Sequence, residues 1–170
     1  MNFLVLYIDK YNEKCYNFIV ENMNNIHIQK TEEKNMTFSE LYVGQKASVQ
    51  KTFTDADLRA FAEVSLDTNP IHLDEEYAKT TIFGKRIVHG ILTSGLISAV
   101  LANKLPGPGT IYLGQELKFT APVFLGDTIT AECEIAEIRE DKHIVKLNTT
   151  CYNQDGKSVI VGVATVKFNG

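Results

Sequence analysis

The run Asp67-Thr-Asn69-Pro70-Ile-His72 places a carboxylate and an imidazole close together along the chain, with a proline stiffening the backbone between them. A carboxylate accepts protons, and an imidazole gives or takes one near neutral pH. Two such groups gripping one water can move a proton on to or off a substrate. The helix expected before this run stops at Asn69-Pro70, because the residue before a proline avoids helical angles. Asp67 is then expected at the C-terminal end of that helix, where the macrodipole disfavours negative charge by roughly 0.3–1 kcal/mol. A charged group in an electrostatically poor place, beside a histidine, marks a candidate acid–base pair. The other reading is a plain helix end and an Asn-Pro turn with both groups solvated. The residues alone leave the two open.

A second stretch, Arg86-Ile-Val-His89-Gly90, leads into a run rich in apolar residues. Gly90 is expected at the N-terminus of a helix, where backbone N–H groups lack intrahelical partners and favour negative charge. An enolate oxygen formed from a thioester carbonyl can be held there; a tight entry into the helix is the alternative reading. His89 is read as structural, hydrogen-bonded near the helix start. A metal on Asp67, His72 and Asp74 is not expected, since no second histidine stands at a ligand spacing. The three cysteines, Cys15, Cys133 and Cys151, form no C-x-x-C. Cys133 and Cys151 fall in expected strands and read as core residues. A reduced, cytoplasmic setting is the simple inference.

These residues need a scaffold. Thr54-Asp-Ala-Asp57 opens like a capping box, with Thr54 as N-cap of a helix carrying Leu58, Phe61, Ala62 and Ser65 on one face. Gly44–Phe53 reads as a strand, and a short helix is expected around Glu75–Lys79. Residues 90–103 form an apolar helix ended by Leu-Pro-Gly-Pro-Gly. Four β-branched runs follow, Ile111–Thr120, Thr128–Arg139, His143–Asn153 and Ser158–Phe168, separated by short turns that imply antiparallel neighbours. A helix apolar nearly all round must be covered on most sides, and a long antiparallel sheet curled about it does this.

Composition is that of a globular chain, 44% apolar and 22% charged with net charge −4. Lys and Arg are scattered, so no nucleic-acid or anionic-membrane footprint is visible. The uncharged stretch 87–103 is shorter than the ~20 residues of a membrane span. Residues 1–35 stand apart, with seven Asn and no Gly, Pro or Ala. Near-helical apolar spacing allows a short amphipathic helix over 7–23. A loosely attached extension, or a start codon upstream of Met36, is the plainer reading. Catalysis is expected not to need it.

With the motif order Asp67-x-Asn69-Pro70-x-His72, Ile87-Val88-His89-Gly90, Tyr112-Leu-Gly114-Gln115 and Pro122-Val123-x-x-Gly126-Asp127, residues 38–168 resemble the MaoC-like (R)-specific enoyl-CoA hydratases. The resemblance implies an α+β hot-dog domain over 36–170, a long central helix wrapped by an antiparallel sheet. It implies a homodimer with an acyl-CoA tunnel at or near the subunit interface, and no cofactor or metal. It implies Asp67 and His72 as the pair holding the water, the Gly90 backbone as oxyanion donor, and Asn69, Ser98, Leu101 and Val166 as substrate-contacting positions. The substrate would be an enoyl-CoA or 3-hydroxyacyl-CoA. The family most often has Gly where this chain has Leu66, and Leu66 is expected to carry the helix slightly further.

Two other functions compete. A hot-dog acyl-CoA thioesterase commonly carries its acid on the central helix, yet no Asp or Glu occurs between Arg86 and Lys104. A non-catalytic acyl-CoA-binding module would have no need of both Asp67 and His72. From Met36 onward there are 13 basic against 16 acidic residues. That balance gives no support to docking an acidic acyl-carrier protein and favours CoA.

Overall fold

A computed structural model describes residues 36–170. The amphipathic helix considered for 7–23 lies outside the described residues. Strand β1 (Lys46–Thr52) leads into helix α1 (Asp55–Ser65), two short helices α2 (Pro70–Leu73) and α3 (Glu75–Lys79), and the long helix α4 (Gly90–Asn103). Strands β2 (Thr110–Phe119), β3 (Thr128–Arg139), β4 (Ile144–Tyr152) and β5 (Ser158–Phe168) complete the chain. They form one antiparallel sheet in the order β1-β3-β4-β5-β2.

Alternation decides which face of the sheet meets the helix. Ile129, Ala131, Cys133 and Ile135 of β3, and Val145, Leu147, Thr149 and Cys151 of β4, point inward and are buried, while their neighbours face out. Ile97, Val100 and Leu101 of α4 are fully buried against this concave face. Each such side chain contributes roughly 1.5–3 kcal/mol. The sheet covers only part of the helix, however. Ile91, Gly95, Ser98 and Ala102 recur at helical spacing and stay exposed, so the expectation of cover on most sides fails for the described chain. Five strands curl around one side of a helix, and among the described residues the opposite side stays open.

Helix α1 starts as its capping box dictates: the Thr54 N–H donates to Asp57 Oδ2 at 2.9 Å and the Asp57 N–H to Thr54 Oγ1 at 3.4 Å. Its end differs from the sequence expectation. Leu66 does not extend the helix; it adopts the left-handed conformation, φ 64°, and caps it. Asn69-Pro70 stops nothing. It starts α2, with Asn69 Oδ1 accepting from the Ile71 N–H at 3.2 Å and Pro70 at the first helical position, where no N–H is required.

Leu66 is 83% exposed, so nothing packs against it to offset the left-handed angle. Left-handed backbone costs a non-glycine residue roughly 1–2 kcal/mol. Glycine gives part of this back through its freer unfolded chain, about 0.4–1 kcal/mol. Leu66→Gly is therefore expected to stabilise the fold by a net of about 0.5–1 kcal/mol. Urea unfolding checks it: an unchanged or lower midpoint means that Leu66 carries no strain.

Candidate active site

The turn after α1 and the short helix α2 bring Asp67 and His72 together, and the start of α4 adds His89. Ligand-capable side-chain atoms of the three lie within 4.8 Å of one another. Asp67 is exposed, His72 is 9% exposed and His89 only 1%.

Each group is oriented by backbone. The His72 Nδ1 lies 2.8 Å from the Ile87 carbonyl, which can only accept. Nδ1 therefore carries a proton, and in the neutral ring Nε2 has the lone pair. The Asp67 Oδ1 accepts from the Asn69 N–H at 3.3 Å, which holds the carboxylate over the turn. His89 plays its structural part on the site itself: its Nε2 donates to the backbone carbonyl of Asp67 at 3.1 Å. Its ring stacks on His72 at 3.8 Å between centroids, with the edge-on ring of Phe61 at 4.9 Å. Burial, the largest influence, pushes the His89 pKa below 6.5, so it stays neutral at pH 7 and adds no charge to the pair.

His89 is thus the second histidine that spacing along the chain did not reveal. Its ring and that of His72 lie only 29° from parallel. His72 Nδ1 and His89 Nε2 are each committed to a backbone carbonyl, which leaves one nitrogen of each ring near the Asp67 carboxylate.

Arg86 fixes the segment that carries these groups. It donates to Asp55 Oδ1 at 2.7 Å and to the Leu73 carbonyl at 3.4 Å, and it pairs with Glu75 at 3.4 Å. Hydrogen bonds from Arg59 and then Arg86 hold the Asp55 carboxyl below its usual range. The starts of α1 and α3 are thereby tied to the strand-like stretch that receives His72.

His72 lies on the wall of a cavity of about 470 Å³, mostly apolar, that also includes Phe83, Ile87, Val88, Gly90, Phe119 and Val123. Gly90 is the first residue of α4, and the N-cap residue His89 makes no side-chain capping bond. The N–H groups of that first turn therefore have no intrahelical partner, and Gly90 and Ile91, which carry two of them, line the cavity. A Cβ on Gly90 would stand 2.7 Å from the Phe119 ring, so only glycine lets that ring close over the helix start.

The structure does not bring every expected residue to this cavity. Asn69 is spent as the cap of α2. Ser98 is exposed on the open side of α4, whereas Leu101 and Val166 are closed in the core, so Ser98 and Leu101 do not share one lining. Phe83 and the segment 119–123 line the cavity without having stood out in the sequence. The Pro122-Val123 motif was the available signal for the latter.

A long helix seated on a curled antiparallel sheet, with an aspartate and a histidine side by side near its N-terminus, defines a hot-dog-fold protein. The comparisons with known proteins agree. Residues 40–156 match the MaoC like domain. Over 129 residues the chain is 50% identical to an (R)-specific enoyl-CoA hydratase of Rhodospirillum rubrum, covering 76% of this chain and 89% of that one. It is 49% identical over 133 residues to an (R)-specific enoyl-CoA hydratase of Aeromonas caviae, covering 78% and 99%. Its fold superimposes on the R-hydratase PhaJ1 from Pseudomonas aeruginosa with TM-score 0.75 at 49% identity, covering 79% and 88%. The chain belongs to the MaoC-like family of dehydratases and hydratases.

Proposed function

We propose that this protein is an (R)-specific enoyl-CoA hydratase, adding water to a trans-2-enoyl thioester to give the (3R)-hydroxyacyl thioester and removing it in reverse. The observation that carries this reading is the convergence of Asp67 and His72 within 4.8 Å, with His72 on the wall of an apolar cavity that also contains the start of α4. One water held between the Asp67 carboxylate and His72 Nε2 attacks C3. One of the pair takes a proton from that water. The C2–C3 π electrons move toward the carbonyl, and the enolate oxygen takes a hydrogen bond from the Gly90 N–H. The enolate then collapses, and C2 receives the proton that the pair took from the water, which returns both groups to their starting state. Both new bonds form on one face of the double bond, which fixes the configuration. The apolar cavity keeps bulk water from the enolate and strengthens these hydrogen bonds.

The scheme calls on no metal or cofactor, since the pair supplies the proton transfer and the helix start the oxyanion contact. The absence of Asp and Glu from α4 argues against a thioesterase. Crotonyl-CoA tests the reading directly. Loss of its double-bond absorbance with formation of (3R)-3-hydroxybutyryl-CoA is expected; the (3S) product, or hydrolysis of the thioester, overturns it. Leu101 and Val166 are buried in the core outside the cavity lining, so they limit acyl length only where the acyl tunnel runs on past that lining. The same assay over a range of chain lengths with Leu101→Ala tests them, and an unchanged profile removes Leu101 from the pocket.

We also read the protein as a homodimer. β2 is an edge strand, and an unpaired edge invites a second copy. Ile111, Leu113 and Phe119 on it, and Ile91 on the open face of α4, are each more than half exposed or at half. Covering that face would also bring Ser98 to the subunit boundary. Sedimentation at micromolar concentration is expected to give about twice 19.0 kDa, and Leu113→Glu is expected to shift the mass toward one chain. An active monomer of the native protein counts against a shared tunnel.

A further inference from the structure

The cavity has two walls that meet along a seam. One is the segment from Phe83 to Val88 and the other runs from Phe119 to Val123. The Val88 N–H donates to the Val123 carbonyl at 2.7 Å, and Ile87 bridges to Phe124. Lys85 sits on the first wall between the lining residues Phe83 and Ile87. Its side chain is exposed and reaches across the seam, placing the ammonium 4.1 Å from the centroid of the Phe124 ring.

Lys85, like Lys104, Lys118, Lys142, Lys157 and Lys167, forms no ion pair among the described residues; what sets it apart is its place between two lining residues of the cavity, with its ammonium over Phe124. Neighbouring Arg86 is committed to Asp55 and Glu75, and Lys46, Lys51, Lys79 and Lys146 each hold a carboxylate. Among the described residues Lys85 has no carboxylate within ion-pair distance, only the ring. A cation over an aromatic face at an exposed site gains about 0.5–1 kcal/mol. That is enough to hold the ammonium at the rim without neutralising it. With 13 basic against 16 acidic residues from Met36 on, the domain offers a polyanion no general attraction. A multiply charged substrate must be held by a local cation.

We propose that Lys85 binds a phosphate group of the CoA nucleotide at the rim of the cavity, and so sets the preference for CoA thioesters over thioesters that lack phosphate. This rests on the hydratase reading for its substrate, and the test separates the two. Wild type and Lys85→Gln are compared on crotonyl-CoA and on crotonyl-pantetheine, which has the same reacting end and no phosphate. Lys85→Gln is expected to raise KM for crotonyl-CoA by roughly two- to fivefold, the range for a solvated ion pair. Its kcat is expected to hold within about twofold, since the reacting end is untouched. KM for crotonyl-pantetheine should stay put. Lys85→Arg should restore the CoA value. Lys142→Gln, which removes the same charge from the turn between β3 and β4 outside the cavity lining, should change neither. The CoA effect should also shrink as salt rises.

Calorimetric binding of CoA itself, which needs no turnover, runs in parallel. Weaker CoA binding by Lys85→Gln supports the contact even if no hydration is seen, in which case the hydratase reading alone fails. An equal rise in KM with crotonyl-pantetheine, or CoA affinity and KM unchanged by Lys85→Gln, overturns the proposal.

Discussion

Asp67→Asn and His72→Ala are each expected to lower kcat by about 10²–10⁴, the contribution of a positioned general acid or base. Asparagine keeps an oxygen that can accept from the Asn69 N–H, so the turn survives and only the basic carboxylate is lost. Asp67 also lies just past the end of α1, where a negative charge is disfavoured, so the melting temperature should hold or rise slightly. His72→Ala additionally removes the bond to the Ile87 carbonyl, at a cost of about 1 kcal/mol in stability. Because both groups grip one water, the double variant should be little slower than the slower single. KM should change less than kcat. Melting curves recorded beside the kinetics separate chemistry from unfolding. Near-full activity in Asp67→Asn, or a loss that tracks unfolding alone, removes this pair from the mechanism.

The Gly90 N–H is expected to contribute about 10²–10³ in kcat, the range for one oxyanion donor. Two variants isolate it. Any Cβ at Gly90 meets the Phe119 ring, so both are made in a Phe119→Ala background. Gly90→Ala there keeps the N–H and should retain most of the background activity. Gly90→Pro removes the N–H while leaving the helix intact, because the first helical position tolerates proline. His89 already has φ −55° and ψ 128°, the extended conformation that precedes a proline comfortably. Gly90→Pro should therefore fold like Gly90→Ala and lose the full factor. Equal activities in the two would show that Gly90 matters only for the space it leaves to Phe119.

The linear order of residues was enough to specify most of the elements. The Thr54 box, the apolar run 90–103 and the four β-branched strands are local signals, and apart from the C-terminal end of α1 each element lies within a residue or two of its expected ends. Asp67 and His72 were legible for the same reason, being near neighbours across a stiff Asn-Pro. Local signals misled where two of them conflict. Asn-Pro can end one helix or begin another. Here Leu66 takes a left-handed angle that glycine usually supplies, so α1 ends early and Pro70 opens α2.

What only the tertiary structure decided are the long-range meetings. His89 is far from Asp67 along the chain, yet it donates to that residue's carbonyl and stacks on His72. Arg86 reaches Asp55 and Glu75, and Phe119 closes over Gly90. Ser98 and Leu101, one turn apart on an apolar helix, part company because the curled sheet buries one side of α4 and leaves the other open. Periodicity gives a helix its faces. Which face is buried depends on where the other elements lie, and that is set by the packing of the whole chain.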